Sequence, residues 1–189
     1  AEELMLSTRN ILKPASGDPI VIPSQDIVLG IYYLTRLDND ALGAGKTFPS
    51  SDEALLAYDF GYVDVNAPIK VKLSDKKELT ETTVGRLIFN TALPQDIGFV
   101  NDALNSKSLQ RLAAEVIDIY GPEMTWETMD KIKNLGFKYA TLSAVSWGMD
   151  DLIVPKEKPS ILAEAEKEIE KIQGQYEEGL LTDSERRAR

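Results

Sequence analysis

The chain has 189 residues, 43% of them hydrophobic, and a formal net charge of −10. That length holds one domain or two small ones, and the acidity opposes autonomous binding to DNA or RNA. Cysteine and histidine are both absent, which excludes disulfides, thiolate or histidine zinc sites, Ser-His-Asp triads and Cys-His pairs within the chain. No apolar run approaches the roughly 18 residues a membrane helix needs. The opening AEELMLSTRN lacks the basic and apolar regions expected of a signal peptide.

In chain order, Ala1 to Leu6 reads as the last turns of a helix, and KPASGDP as a turn. Ile20, Val21 and Ile22 form a β-branched run closed by Pro23, which predicts a short buried strand end. Ser24 is the expected N-cap of a helix with Asp26 in its first turn and Ile27, Val28, Ile31, Tyr32 and Leu34 on its apolar face. Ser24 and Gln25 stand at the strand-to-helix junction, where polar side chains can face a cavity; a capped core helix accounts for the same pattern. Leu37 to Phe48 reads as a polar loop and Ser51 to Tyr58 as a short helix. Val63, Val65, Ile69, Val71 and Leu73 alternate as strand residues do, with Pro68 marking an edge or bulge, and Thr82 to Asn90 reads as a third strand.

The second half is helical. Ser108 is expected to cap a helix buried through Leu109, Leu112, Ala113, Val116, Ile117 and Tyr120, ended by Gly121-Pro122. Thr125 is expected to cap the next, with Trp126, Met129, Ile132 and Leu135 inward and Gly136 as its stop, so that the pair forms an antiparallel helical hairpin. Tyr139 to Ser146 is rich in small residues and suits a closely packed helix. Pro159 opens a long charged helix whose Glu and Lys residues form a solvated face. Gly179 stops it, and Thr182 with Glu185 makes a capping box for another. The fold class expected is α+β: a mixed first part with short strands, then a helical part built on the hairpin.

Two clusters invite chemistry. Gly43-Ala44-Gly45-Lys46-Thr47 has the ending of a phosphate-binding loop, but the first glycine of G-x-x-x-x-G-K-[ST] is replaced by Asp40, and neither a leading strand nor a following helix is in place. A turn is the simpler reading. Asp150 and Asp151 are adjacent acids that magnesium chemistry could use; a loop in which they bond local N–H groups explains them with less.

The run STRNILKPASGDPIVIPSQDIVLGIYYLTR resembles the beta-prime subunit of bacterial multisubunit RNA polymerase, which typically reads STNNILSPANG-PI-VPSQD-VLG-YYLTR. ETTVGRLIFN, LGFKYATLS, GMDDLIVP and EKIQGQYEEGLLTDSER continue the likeness in order along nearly the whole chain. The resemblance implies a pore domain over residues 1–98 and a funnel domain over 99–189, truncated at its last helix, together forming the secondary channel for nucleotide entry and RNA 3′-end extrusion. It implies that Pro23, Ser24, Gln25 and Asp26 line the active-site cavity and that Leu142, Asp150 and Asp151 belong to the channel wall. The hairpin would be the rim where transcript-cleavage factors dock, its exposed tip around Asn105, Lys107, Gln110 and Arg111. No residue of this piece is implied to be catalytic or to bind a cofactor, with magnesium and zinc expected elsewhere in the intact subunit. The implied partners are the beta, alpha, omega and sigma subunits with DNA template and RNA, in a cytoplasmic, nucleoid-associated enzyme. Leu142 and Pro68 stand where the family has arginine, Asn66 where it has histidine, Arg9 where it has asparagine, and Ala144 where it has glycine. The alternatives are a free-standing acidic protein-interaction module and a P-loop enzyme.

Overall fold

The computed structural model describes residues 5–8, 10–73 and 78–188; Arg9 and most of the opening helix expected over residues 1–6 lie outside them. The chain divides into two compact units, Ala1–Val145 and Ser146–Arg189.

In the first unit, α1 (Asp26–Thr35) buries Gly30, Ile31, Leu34 and Thr35. Among the described residues no strand precedes it. Ile20 is half exposed, and the run before Pro23 is joined by an isolated bridge, Leu12 to Pro19. A β-branched run without a pairing partner stays irregular, because strand propensity is chiefly cross-strand packing. A loop then leads to β1 (Thr47–Phe48) and to α2 (Ser51–Asp59), which Ser50 caps by accepting from Glu53 N at 3.2 Å.

Among the described residues one mixed sheet forms, in the order β1-β2-β3, with β1 parallel to β2 (Pro68–Lys72) and β2 antiparallel to β3 (Leu79–Thr83). Val63 and Val65 lie between β1 and β2 in irregular chain, and Pro68 opens the central strand rather than an edge. Its first position lets it omit an N–H without breaking the ladder. The expected strand over Thr82–Asn90 ends at Thr83, whose side chain accepts from Arg86 N and starts α3 (Val84–Asn90). A side-chain cap has overridden β-branched propensity here.

The helical run α4 (Ser106–Ser143) is broken at Gly121, whose φ of 71° and ψ of −174° no helix contains, with Pro122 next. Burial is mirrored about that break. Leu109, Leu112, Ala113 and Val116 are buried on the first arm, and Thr125, Thr128, Met129, Ile132, Gly136 and Tyr139 on the second. Both arms join one core with Ile31 and Leu34 of α1 and Phe89 of α3. In one straight helix Leu109 and Ile132 would be about 35 Å apart, so the shared core is that of a folded-back pair. A second core, under the sheet, gathers Ala54, Val63, Ile69, Val71, Val84 and Leu87.

Several expected caps move. The first arm is capped by Asn105, which accepts from Ser108 N at 3.0 Å. Thr125 lies inside the second arm, donating to Gly121 O at 2.7 Å. Trp126 is turned outward, 38% exposed. Gly136 does not stop the helix, which runs on to Ser143. At its end Ala144 takes the left-handed conformation, φ 51° and ψ 20°, where a Cβ is unfavourable. Ala144→Gly is expected to raise stability by about 0.5–1 kcal/mol, read as an upward shift of the thermal midpoint.

The second unit holds a short 3-10 turn at Met149–Asp151, then α5 (Lys158–Glu177) and α6 (Asp183–Ala188). The capping box forms as its sequence indicates: Glu185 N donates to Thr182 Oγ1 at 3.3 Å, and Thr182 N to Glu185 Oε2 at 2.8 Å.

Candidate functional site

The turn into α1 is where sequence and geometry converge. Pro23 is buried, while Ser24, Gln25 and Asp26 are exposed. Ser24 is not the cap: the capping position is Gln25, whose side chain makes no capping bond. Ser24 instead lends its carbonyl to Ile27 N at 3.1 Å, and Gln25 lends its own to Leu29 N at 3.0 Å. Gln25 has φ 48° and ψ −120°, a region glycine enters freely and a side chain enters at a cost of roughly 1–3 kcal/mol.

Behind the turn, α1 is fixed along its length. Gly30 touches the second arm of α4 so closely that a Cβ there would collide with the Gly136 carbonyl, and a Cβ on Gly136 would come within 2.6 Å of Ile27 Cγ2. Gly85 of α3 meets the Leu34 carbonyl in the same way. At the C-terminus, where helix carbonyls lack partners, two side chains supply them. Asn66, 4% exposed, donates through Nδ2 to Tyr33 O at 2.6 Å and Arg36 O at 3.2 Å. Arg86 donates from Nε to Thr35 O at 3.0 Å and from one terminal nitrogen to Asn101 O at 2.7 Å. Burial lowers the Arg86 guanidinium from its ordinary pKa, against the opposing charge of Asp102. Thr35 Oγ1 closes the knot by accepting from Leu104 N at 2.9 Å. No local sequence signal announces Asn66, whose partners lie about thirty residues away.

The other expected residues belong to other elements. Asn105, Lys107, Gln110 and Arg111 are exposed on the first turns of α4. The reversal of the hairpin is at Gly121, so these residues stand at its open end and not at its tip. Leu142 is exposed in the last turn of α4. In the second unit Asp150 and Asp151 are exposed, and Asp151 Oδ2 accepts from Gly148 N at 2.7 Å. Among the described residues no group of three or more acids comes together as metal ligands.

The GAGKT segment is a turn. Lys46 Nζ donates to Tyr62 O at 2.9 Å, Gly45 N to Pro68 O and Lys46 N to Gly43 O. The groups that would cradle phosphate are thus spent on the fold, and the strand follows the loop instead of leading into it. Lys46→Ala is expected to change stability by less than about 0.5 kcal/mol and to leave ATP binding undetectable in calorimetry, before and after.

α1 is thus a glycine-tight helix whose N-terminal turn is polar and exposed. Residues 10–152 match the family described as RNA polymerase Rpb1, domain 3, and the chain belongs to that family. Its relatives are bacterial: it is similar to proteins named DNA-directed RNA polymerase subunit beta' from Sulfurihydrogenibium sp. (48% identity over 97% of this chain), from Caldanaerobacter subterraneus subsp. tengcongensis (44% over 98%) and from Bacteroides fragilis (42% over 98%). The match takes up 12%, 17% and 14% of those relatives, so the chain corresponds to a small part of their length.

Proposed function

We propose that this chain forms the pore and secondary-channel part of a bacterial RNA polymerase beta-prime subunit, with residues 1–98 as pore and 99–189 as funnel. The observation that carries the reading is the exposed Ser24-Gln25-Asp26 turn on a helix clamped at both ends, within a segment that matches the polymerase family. The reaction of the whole enzyme is nucleotidyl transfer: the RNA 3′-hydroxyl attacks the α-phosphorus of a nucleoside triphosphate and pyrophosphate leaves. Magnesium bound elsewhere in the intact subunit would supply charge stabilisation for that transfer, and no residue of this chain is proposed to hold it. The residues of this chain shape and wall the space. Pro23 packs inward and fixes the approach to the turn, Ser24, Gln25 and Asp26 face the cavity, and Leu142, Asp150 and Asp151 border the channel. The beta, alpha, omega and sigma subunits, DNA and RNA are its partners in the cytoplasm.

Transcript-cleavage factors are proposed to dock where Asn105, Lys107, Gln110 and Arg111 project from the open end of the hairpin. Leu109 and Leu112 occupy the inward face of those turns, leaving a basic outer face on an acidic chain, which suits an acidic partner surface and speeds encounter more than it tightens the complex. In reconstituted polymerase, charge reversal at Lys107 and Arg111 should weaken factor-stimulated RNA cleavage several-fold at low salt while RNA extension stays near the wild-type rate. Equal loss of extension, or unchanged factor affinity, would refute the division between pore and rim.

A further inference from the structure

We propose that Leu56, Phe60 and Tyr62 form a docking surface for a segment of a partner protein whose apolar face is bordered by lysine or arginine. The inward side of α2 is committed to the core under the sheet, where Ala54 is buried and Leu55, Ala57 and Tyr58 pack against it. Its outward side leaves apolar residues in solvent: Leu56, Phe60 and Tyr62 are 55%, 69% and 64% exposed. Single exposed apolar residues are ordinary, but these three are neighbours. Leu56 and Phe60 are one helical turn apart, with Phe60 N donating to Leu56 O at 3.1 Å. The ring centroids of Phe60 and Tyr62 are 6.4 Å apart. The backbone that carries them is also fixed. Gly61, at φ 71°, donates to Tyr58 O at 2.9 Å, and Tyr62 N donates to Ala57 O at 2.9 Å, the paired bonds of a glycine helix stop. The GAGKT turn braces that stop: Lys46 Nζ donates to Tyr62 O at 2.9 Å and lies 5.9 Å from the centre of the Tyr62 ring. Aromatic rings held in this way offer contact area at little entropic cost.

The charges select the occupant. On the outward side of α2, Asp52 and Asp59 flank Leu56 along one border and Glu53 along the other, and all three are exposed. An apolar centre with acidic borders complements a surface that carries cations at its own rim. The same acids oppose the other occupants. They repel the phosphates of nucleic acid, whose bases would otherwise stack on exposed rings. In a symmetric pair of this chain they would face one another across the contact.

The test uses the full chain and two fluorescein-labelled amphipathic helical peptides. One has a leucine face bordered by lysines, and the other has glutamates in place of those lysines. Fluorescence anisotropy should show the lysine peptide bound about tenfold more tightly or better, with affinity falling as salt rises. Phe60→Ser and Tyr62→Ser should each weaken its binding about tenfold, the scale of a central interface residue, with thermal midpoints near wild type. Ile169→Ser, at an exposed position of α5, should bind as wild type does, which separates this surface from general attraction to an acidic chain. Asp52→Lys combined with Asp59→Lys should reverse the preference between the two peptides, a result that misfolding would not give. Four outcomes overturn the proposal: no measurable binding of the lysine peptide, affinity unmoved by both serine variants, tighter binding of single-stranded oligo-dT, or a dimer of the chain that Phe60→Ser abolishes.

Discussion

Gly30→Ala should destabilise the chain by about 3 kcal/mol or more, at the upper end for overpacked cores. The added Cβ would fall on the Gly136 carbonyl, a backbone atom in the middle of a helix, which cannot rotate away as a side chain could. Relief requires α1 and the second arm of α4 to separate, and that contact is shared with Ile31, Ile132 and Tyr139 in the larger core. At roughly 2–4 °C per kcal/mol for a chain of this size, the thermal midpoint should fall by about 6–12 °C. Gly174→Ala is the contrast. No atom lies within 4 Å of a Cβ there, and α5 should gain about 0.5–1 kcal/mol of helix stability. A midpoint for Gly30→Ala within 2 °C of wild type would show that the α1–α4 contact is looser than the backbone geometry requires.

The second large effect is expected at Asn66. Asn66→Leu keeps the approximate volume but removes both donors, stranding the Tyr33 and Arg36 carbonyls at a buried helix end. Each unsatisfied carbonyl costs about 1–3 kcal/mol, so a loss of about 2–6 kcal/mol for the two should appear in urea denaturation as a lowered midpoint with an unchanged slope. Asn66→Asp should be worse at neutral pH, since a carboxylate would face carbonyl oxygens. Part of that loss should return on acidification, because a protonated carboxyl donates one hydrogen bond. A pH-independent Asn66→Asp would show that water can replace the amide.

What the sequence disclosed was mostly periodic or punctuated. Ile31 and Leu34 recur at helical spacing and are buried in α1; Gly121-Pro122 breaks the long helix where expected; Thr182 and Glu185 cap α6 as their spacing indicates. The errors came where one residue type serves two purposes. Gly136 reads equally as a helix stop and as a packing surface, and only the approach of Ile27 decides between them. Thr83 belongs to a β-branched run and also caps a helix, and the cap prevailed. At the candidate site, PSQD was legible as a polar junction, but not the left-handed Gln25, since no residue other than glycine announces a positive φ. Asn66 was equally silent, because its partners lie some thirty positions earlier in the chain.

One property of the second unit bears on how the chain would exchange with solvent. Among the described residues from Ser146 onward none is buried, and Ile161, Leu162 and Ile169 of α5 are each at least half exposed. Helices of this length without a tertiary face are marginal in water. Amide protons of α5 should therefore trade for deuterium at nearly the rate of an unfolded peptide, while those of α1 and the arms of α4 wait for global opening. The chain would carry two clocks, divided near Val145, and a single folding free energy would describe only the first of its two units.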